Sequence, residues 1–201
     1  MSIEIIHGYT IDTAKLSTHS TVIVAGLSEH LLLEQELVKR GVDVIGFEIN
    51  EQILQEAKAI CRTNPSFNKH FDISIRLLTP AFEPSKRVFV DDDNKPISTM
   101  VNHEGVNPNN CLLYPTVAFP SIVKKFGRVS LVVLDMHGEE YKLAKCIDPK
   151  CQIFIRFYQK ALGYTEIQTD RMLLALKKKG YAVASIAPML NGCVDVLLIH
   201  V

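Results

Sequence analysis

The sequence predicts an α/β domain with a mostly parallel sheet, on three observations. Short runs rich in Val, Ile and Leu alternate with longer amphipathic stretches, the order of strand and helix in folds of that class. The runs are continuously apolar, as strands are when helices cover both faces of the sheet. Two of them stop abruptly at an acidic residue, Glu48 and Asp135. Polar groups at the carboxyl ends of parallel strands are where open α/β sheets hold ligands.

Residues 1–19 are a lead-in, and residues 21–25, TVIVA, form a first strand ending at Gly26. Residues 29–40 follow as a helix. Leu31, Leu33, Leu37 and Val38 give it a broad apolar face, Lys39 and Arg40 suit its negative end, and Gly41 is its left-handed cap. A second strand over 42–47 ends in Glu48. Asn50 then caps a helix over 51–62, in which Ile53, Ala57 and Ile60 recur at helical spacing and Ile49 can staple onto Leu54. This first third is one right-handed βαβ unit.

A third strand is expected over 73–78, then a hairpin and loop insertion over 84–117. The hairpin pairs 87–90 with 97–101 across DDDNKP, where Asp91, Asp92, Asp93, Asn94 and Pro96 supply turn chemistry. Three consecutive aspartates can attract a cation, but a solvated turn accounts for them, and no metal site is expected. Residues 102–110, NHEGVNPNN, are loop, and His103-Glu104 within it can reach a site from above as part of a lid. A short helix over 120–126 is capped by Gly127. Residues 130–134 are the next strand, ending at Asp135, and a glycine turn leads into a helical segment carrying Glu139 and Glu140. Another strand spans 152–158. Thr165 and Gln168 form a capping box for a helix running to Lys179, where three lysines suit the carboxyl end and Gly180 stops it. Strands over 181–187 and 194–201, joined at Asn191-Gly192, close the sheet with an antiparallel pair. All 201 residues are read as a single domain.

Composition narrows the function classes. Twenty-two basic residues balance 22 acidic ones, so no net field draws the chain to nucleic acid or to an anionic membrane. No apolar run approaches the roughly 18 residues of a spanning helix. The first residues lack a basic region followed by an apolar core, so no secretory signal is expected. Five cysteines, an odd number without a C-x-x-C pair, fit thiols in a reducing cytoplasm. Cys146 and Cys151 are not spaced as a zinc site.

The chemistry sits at the strand ends. Gly26, in Ala25-Gly26-Leu27-Ser28-Glu29, permits a tight turn and a close backbone approach to a nucleotide-like cofactor, or is a plain structural turn. Glu48 lies 22 residues further on, near the roughly 20-residue offset at which an acidic side chain holds ribose hydroxyls, or is a solvated glutamate at a strand end. Asp135 and His137 share the turn after the later strand. Histidine titrates near neutrality and suits a general base, or is simply a hydrogen-bonded loop residue, with Asp135 as its orienter or as a helix cap, and Glu140 placed to meet substrate.

Residues 20–51, STVIVAGLSEHLLLEQELVKRGVDVIGFEINE, resemble the opening of FkbM-type S-adenosylmethionine-dependent methyltransferases: strand, G-x-G-E, helix, then a strand ending in an acidic residue. Residues 114–145 resemble the family's second half. There Lys125-Phe126-Gly127-Arg128-Val129 stands for "kFG-x-V", and Asp135-Met136-His137-Gly138-Glu139-Glu140 for D-x-E-G-x-E. Gly180-Tyr181 is similar to a closing "GY". The departures are Ser28 for the second glycine, His137 for the first glutamate, and Arg156 and Tyr158 where a glutamate and histidine are usual.

The resemblance implies a Rossmann-like class I methyltransferase fold with S-adenosylmethionine as cofactor, bound by Gly26, Leu27, Ser28, Glu29, Glu48 and Ile49. Asp135, His137 and Glu140 would line the acceptor side. It implies O-methylation of a small-molecule or sugar hydroxyl. Two other readings remain open: a catalytically inactive binding or scaffold protein, which the departures suggest, and an NAD-dependent oxidoreductase, which Gly26 and Glu48 also suit.

Overall fold

The chain enters the structure, a computed structural model describing residues 2–100, 103, 105–147 and 151–201, through a hairpin of β1 (Ile3–Ile6) and β2 (Tyr9–Asp12). The expected lead-in is therefore ordered. His7 and Gly8 make its two-residue turn with positive φ at both, 48° and 85°, the geometry that matches the twist of paired strands. Then come β3 (Thr21–Ala25), α1 (Leu32–Lys39), β4 (Asp43–Phe47), α2 (Glu51–Thr63), α3 (Pro65–Lys69) and β5 (Phe71–Ser74). A separate run follows: β6 (Leu77–Thr79), β7 (Ser85–Val90), β8 (Pro96–Ser98) and β9 (Cys111–Ala118). The chain continues with α4 (Phe119–Phe126), β10 (Val129–Leu134), α5 (Glu140–Leu143), β11 (Gln152–Phe157), α6 (Glu166–Lys177), β12 (Tyr181–Pro188) and β13 (Val194–His200).

Seven strands form the main sheet in the order β12-β13-β11-β10-β3-β4-β5. Numbered by their own chain order from the β5 edge, they read 3-2-1-4-5-7-6. All run parallel except β13, which is antiparallel to both neighbours. Alternation along each strand feeds two cores. Ile23 and Val132 join one, with Phe157, Leu176 and Tyr181; Val22 and Val133 join the other, with Leu33, Leu37 and Phe154. Burying each such side chain stabilises by about 2 kcal/mol, which is why the central runs are unbroken Val, Ile and Leu. The second sheet, ordered β6-β9-β7-β8, stands over the carboxyl ends of these strands.

The expected βαβ unit, the hairpin across Asp91–Lys95, the Gly127 cap, the Thr165–Gln168 capping box and the closing antiparallel pair are all present. Four elements differ. The helix expected from residue 29 begins at Leu32, because His30 and Leu31 take left-handed φ of 53° and 50°. The strand expected over 73–78 is two strands in two sheets, divided at the exposed Ile75 and Arg76. β9 follows the expected loop, in a part of the insertion where no strand is expected; its internal Pro115, opposite Ser85, weakens the strand signal. The helical segment after Asp135 is short, a single turn of α5. Val101, Asn102 and Glu104 lie outside the described residues, as does Pro149. No helix among the described residues is long and apolar enough to cross a membrane.

Candidate functional site

A cleft of about 960 Å³ opens where β3, β4, β10 and β11 end, under the second sheet and beside the His7-Gly8 turn. Of the residues singled out from the sequence, Gly26, Leu27, Ser28, Glu29, Glu48, Ile49, Asp135 and His137 all line it. Glu140 does not. It is fully buried behind the wall, so it is placed to shape the turn and cannot touch a ligand in the cleft.

On the β3–β4 side the turn is held by carboxylates. Gly26 has φ 84°, and a Cβ there would stand 1.8 Å from the backbone oxygen of Asp135. Glycine is thus imposed by the neighbouring strand end itself. Glu48 Oε2 accepts from the Leu27 amide at 3.1 Å, and Oε1 accepts from the Ile49 and Asn50 amides, both at 2.7 Å. A carboxylate offers about four lone-pair positions, so one, on Oε2, remains for a ligand hydroxyl. Burial raises the Glu48 pKa above its ordinary value against those three amides. Ser28 turns its hydroxyl away from the cleft onto Glu34, donating to Oε2, while its amide donates to Oε1 at 3.0 Å. The same hydroxyl oxygen accepts from the Leu33 amide at 3.1 Å. The serine therefore leaves the turn's inner surface clear. Glu34 is fully buried, and burial pushes its pKa up. Glu29 projects into solvent at the rim.

The β10–β11 side is built the other way round. Asp135 Oδ2 accepts from Arg156 Nη1 at 2.7 Å and from the Tyr9 hydroxyl at 3.1 Å, and the Tyr158 hydroxyl donates to Oδ1. Arg156 also grips Asp195 through Nε and Nη2, at 2.9 and 2.8 Å, and lies over the Tyr9 ring. Two of the four residues that depart from the family pattern, Arg156 and Tyr158, are thus partners of Asp135. Burial raises the Tyr158 pKa, reinforced by the Asp135 charge, so this phenol stays a donor. The His137 ring stacks on Tyr158, 3.8 Å between centroids, at the cleft surface. Partial burial lowers its pKa, with Asp135 pulling the other way; the imidazole is neutral near pH 7 and able to take a proton.

A brace fixes the turn from above. The fully buried Glu139 meets Lys86 of β7 at 2.8 Å and Lys142 at 3.2 Å, and accepts from the Thr99 hydroxyl at 2.9 Å. Burial works to raise its pKa, but the hydrogen bond and charge of Lys86, with Lys142, hold it below the ordinary range. Glu140 Oε2 accepts from the Gly138 amide at 2.7 Å, while Oε1 has no hydrogen-bond partner among the described residues; burial carries this carboxyl up to about 7. Sequence reasoning did not find Tyr9, Glu34 or Lys86. Only Glu34 left a signal, an acid on the helix face that carries Leu37. Tyr9 is 126 residues from its partner Asp135, a separation that leaves no local pattern.

The strand order and the cleft at its switch point define the class I methyltransferase fold. The antiparallel seventh strand separates it from the 3-2-1-4-5-6 order of dinucleotide-binding sheets. The chain is similar to the Methanococcus jannaschii fibrillarin pre-rRNA processing protein, with TM-score 0.53 and 11% identity over 90% of this chain and 66% of that one. It therefore spans just under two thirds of that protein's length. A fibrillarin/Nop5p complex matches with TM-score 0.53 and 10% identity, over 92% of this chain and 75% of that one. A TehB-like SAM-dependent methyltransferase from Corynebacterium glutamicum matches with TM-score 0.44 and 9% identity, over 94% and 84%. At identities this low the two fibrillarin matches speak to the fold alone. No family model and no curated protein matches the sequence, so the FkbM resemblance rests on its own residues.

Proposed function

We propose that the chain is an S-adenosylmethionine-dependent methyltransferase of FkbM-like type, acting on a hydroxyl oxygen of a small molecule or sugar. The observation that carries this reading is the convergence of the Gly26 turn, Glu48 and His137 on one cleft at the carboxyl edge of the sheet. The residues fit the cofactor. Glu48 keeps one lone-pair position for a ribose hydroxyl, the turned-away Ser28 leaves the approach to Gly26 open, and Ile49 and Leu77 offer apolar surface to a base. When bound, the cofactor supplies an electrophilic methyl group. The chain's own part is to orient the acceptor and remove its proton. Neutral His137 takes the hydroxyl proton on a ring nitrogen. Asp135, held by three donors, is unsuited to be the base; it keeps Tyr158 in place, and Tyr158 supports the His137 ring. The zero net charge favours an uncharged acceptor over a nucleic acid.

Calorimetric titration with S-adenosylmethionine, and separately with S-adenosylhomocysteine, tests this. Saturable one-to-one binding is expected, and Glu48→Ala should weaken it by about tenfold or more, as loss of a charged hydrogen bond does. One observation favours a non-catalytic binding protein instead: Glu48 and Asp135 already satisfy several protein donors each. No heat and no thermal stabilisation at saturating ligand would select that second reading.

A further inference from the structure

One lateral edge of the main sheet is open. β12 pairs with β13 on one side, and no described strand pairs with its other side. Its outward amides and carbonyls are therefore available to another strand. Proteins ordinarily blunt such an edge with lysine, proline or brevity. β12 is eight residues long, YAVASIAP, with no charge, its one proline in the last position and a single irregularity of register, between Val183 and Ser185. Val183 and Ile186 stand out from it at 47% and 57% exposure.

The outer face of α6 continues this surface. A groove of about 550 Å³ lies between the two elements, walled by Leu174, Lys177, Tyr181, Val183 and Val201. Ile167 and Leu174, 60% and 55% exposed, sit one above the other, two turns apart. The helix's exposed charges are ordered: Glu166 and Asp170 come first, Arg171 in the middle, Lys177 and Lys178 last. A helix charged in that order complements its own copy when the two run antiparallel. A two-fold axis normal to the sheet at β12 satisfies both requirements together. It pairs the edge strand antiparallel with itself, and it lays acidic against basic ends of the two α6 helices.

We propose that β12 and α6 form a homodimer interface in which the main sheets of two copies join into one. The occupant is a second copy of this chain because edge, apolar face and charge order are all self-complementary. No residue of β12 or α6 lines the cleft, so the interface is independent of any methyl transfer.

Sedimentation velocity on the full chain at micromolar concentration tests it. A species of twice the chain mass is expected. Ile186→Lys and, separately, Leu174→Glu should weaken association by about a hundredfold or more, since the two-fold brings each charge in twice. Both positions are exposed, so the melting of the dilute monomer and ligand binding in the cleft should not change. Outward amides of residues 182–187 should exchange slowly in the dimer and quickly in Ile186→Lys. A monomer throughout, a polydisperse aggregate, or a dimer indifferent to both substitutions would overturn the proposal.

Discussion

On the β3–β4 wall of the cleft, carboxylates bind backbone amides; on the β10–β11 wall, side chains bind a carboxylate. The first wall is local. Glu34 and Glu48 reach amides six and 21 residues back in the chain, or one and two residues onward. The second is convergent, since Tyr9 of β2 and Arg156 and Tyr158 at the end of β11 meet around Asp135, with Asp195 of β13 holding Arg156. A turn secured by amides has its shape set before any ligand arrives. A cluster secured by side chains holds together only if every partner is present. The two walls should therefore fail differently.

The largest effect is expected where the walls touch. Gly26→Ala puts a methyl into the Asp135 carbonyl on a backbone at φ 84°, and should cost about 4 kcal/mol by thermal or denaturant unfolding. A cost under 1 kcal/mol would show that the two strand ends separate easily. Next comes Arg156→Met, which leaves Asp135 and Asp195 buried without their cation. Removing one partner of such a network costs about 3 kcal/mol, against far less for Arg156→Lys if the charge alone matters.

Glu140 gives a pH test of the convergent wall. Its folded pKa, about 7, lies above the ordinary 4.5, so the fold holds the proton. The stability it contributes is complete below 4.5 and is lost as pH rises through 7. The difference in unfolding free energy between wild type and Glu140→Gln should change by roughly 3 kcal/mol across that window. No change would mean the buried carboxyl has partners in its ionised form. The smallest structural effect belongs to His137→Ala. It should leave cofactor binding and stability almost unaltered while lowering turnover by about a hundredfold. In the unaltered chain the acid limb of turnover should fall below 6.5, because the histidine's pKa is lowered. Equal loss of binding and turnover would place His137 on the cofactor side.

The two walls also differ in how far the sequence exposed them. Gly26, Glu48 and Asn50 were legible because strand ends, glycine turns and caps depend on neighbours a few residues apart. Asp135 and His137 were legible as positions, being the residues where a buried strand stops, but not as roles. The sequence showed Arg156 and Tyr158 only as departures from a pattern. Ser28 was ambiguous for the same reason: whether its hydroxyl obstructs the cleft depends on Glu34, a partner visible only as an acid on an apolar helix face.

Periodicity and punctuation alone determined the alternating strands and helices, the parallel core, the antiparallel closing pair and the acidic strand ends. These follow from apolar burial and backbone hydrogen bonding, which act locally and repeat. Tertiary structure decided that an N-terminal hairpin completes the site through Tyr9, that residues 77–118 build a second sheet over it, and that Asp135 is locked to Arg156, Tyr158 and Tyr9. Such contacts join residues far apart in the chain, and a side-chain hydrogen bond of that kind imposes no spacing that a sequence can display.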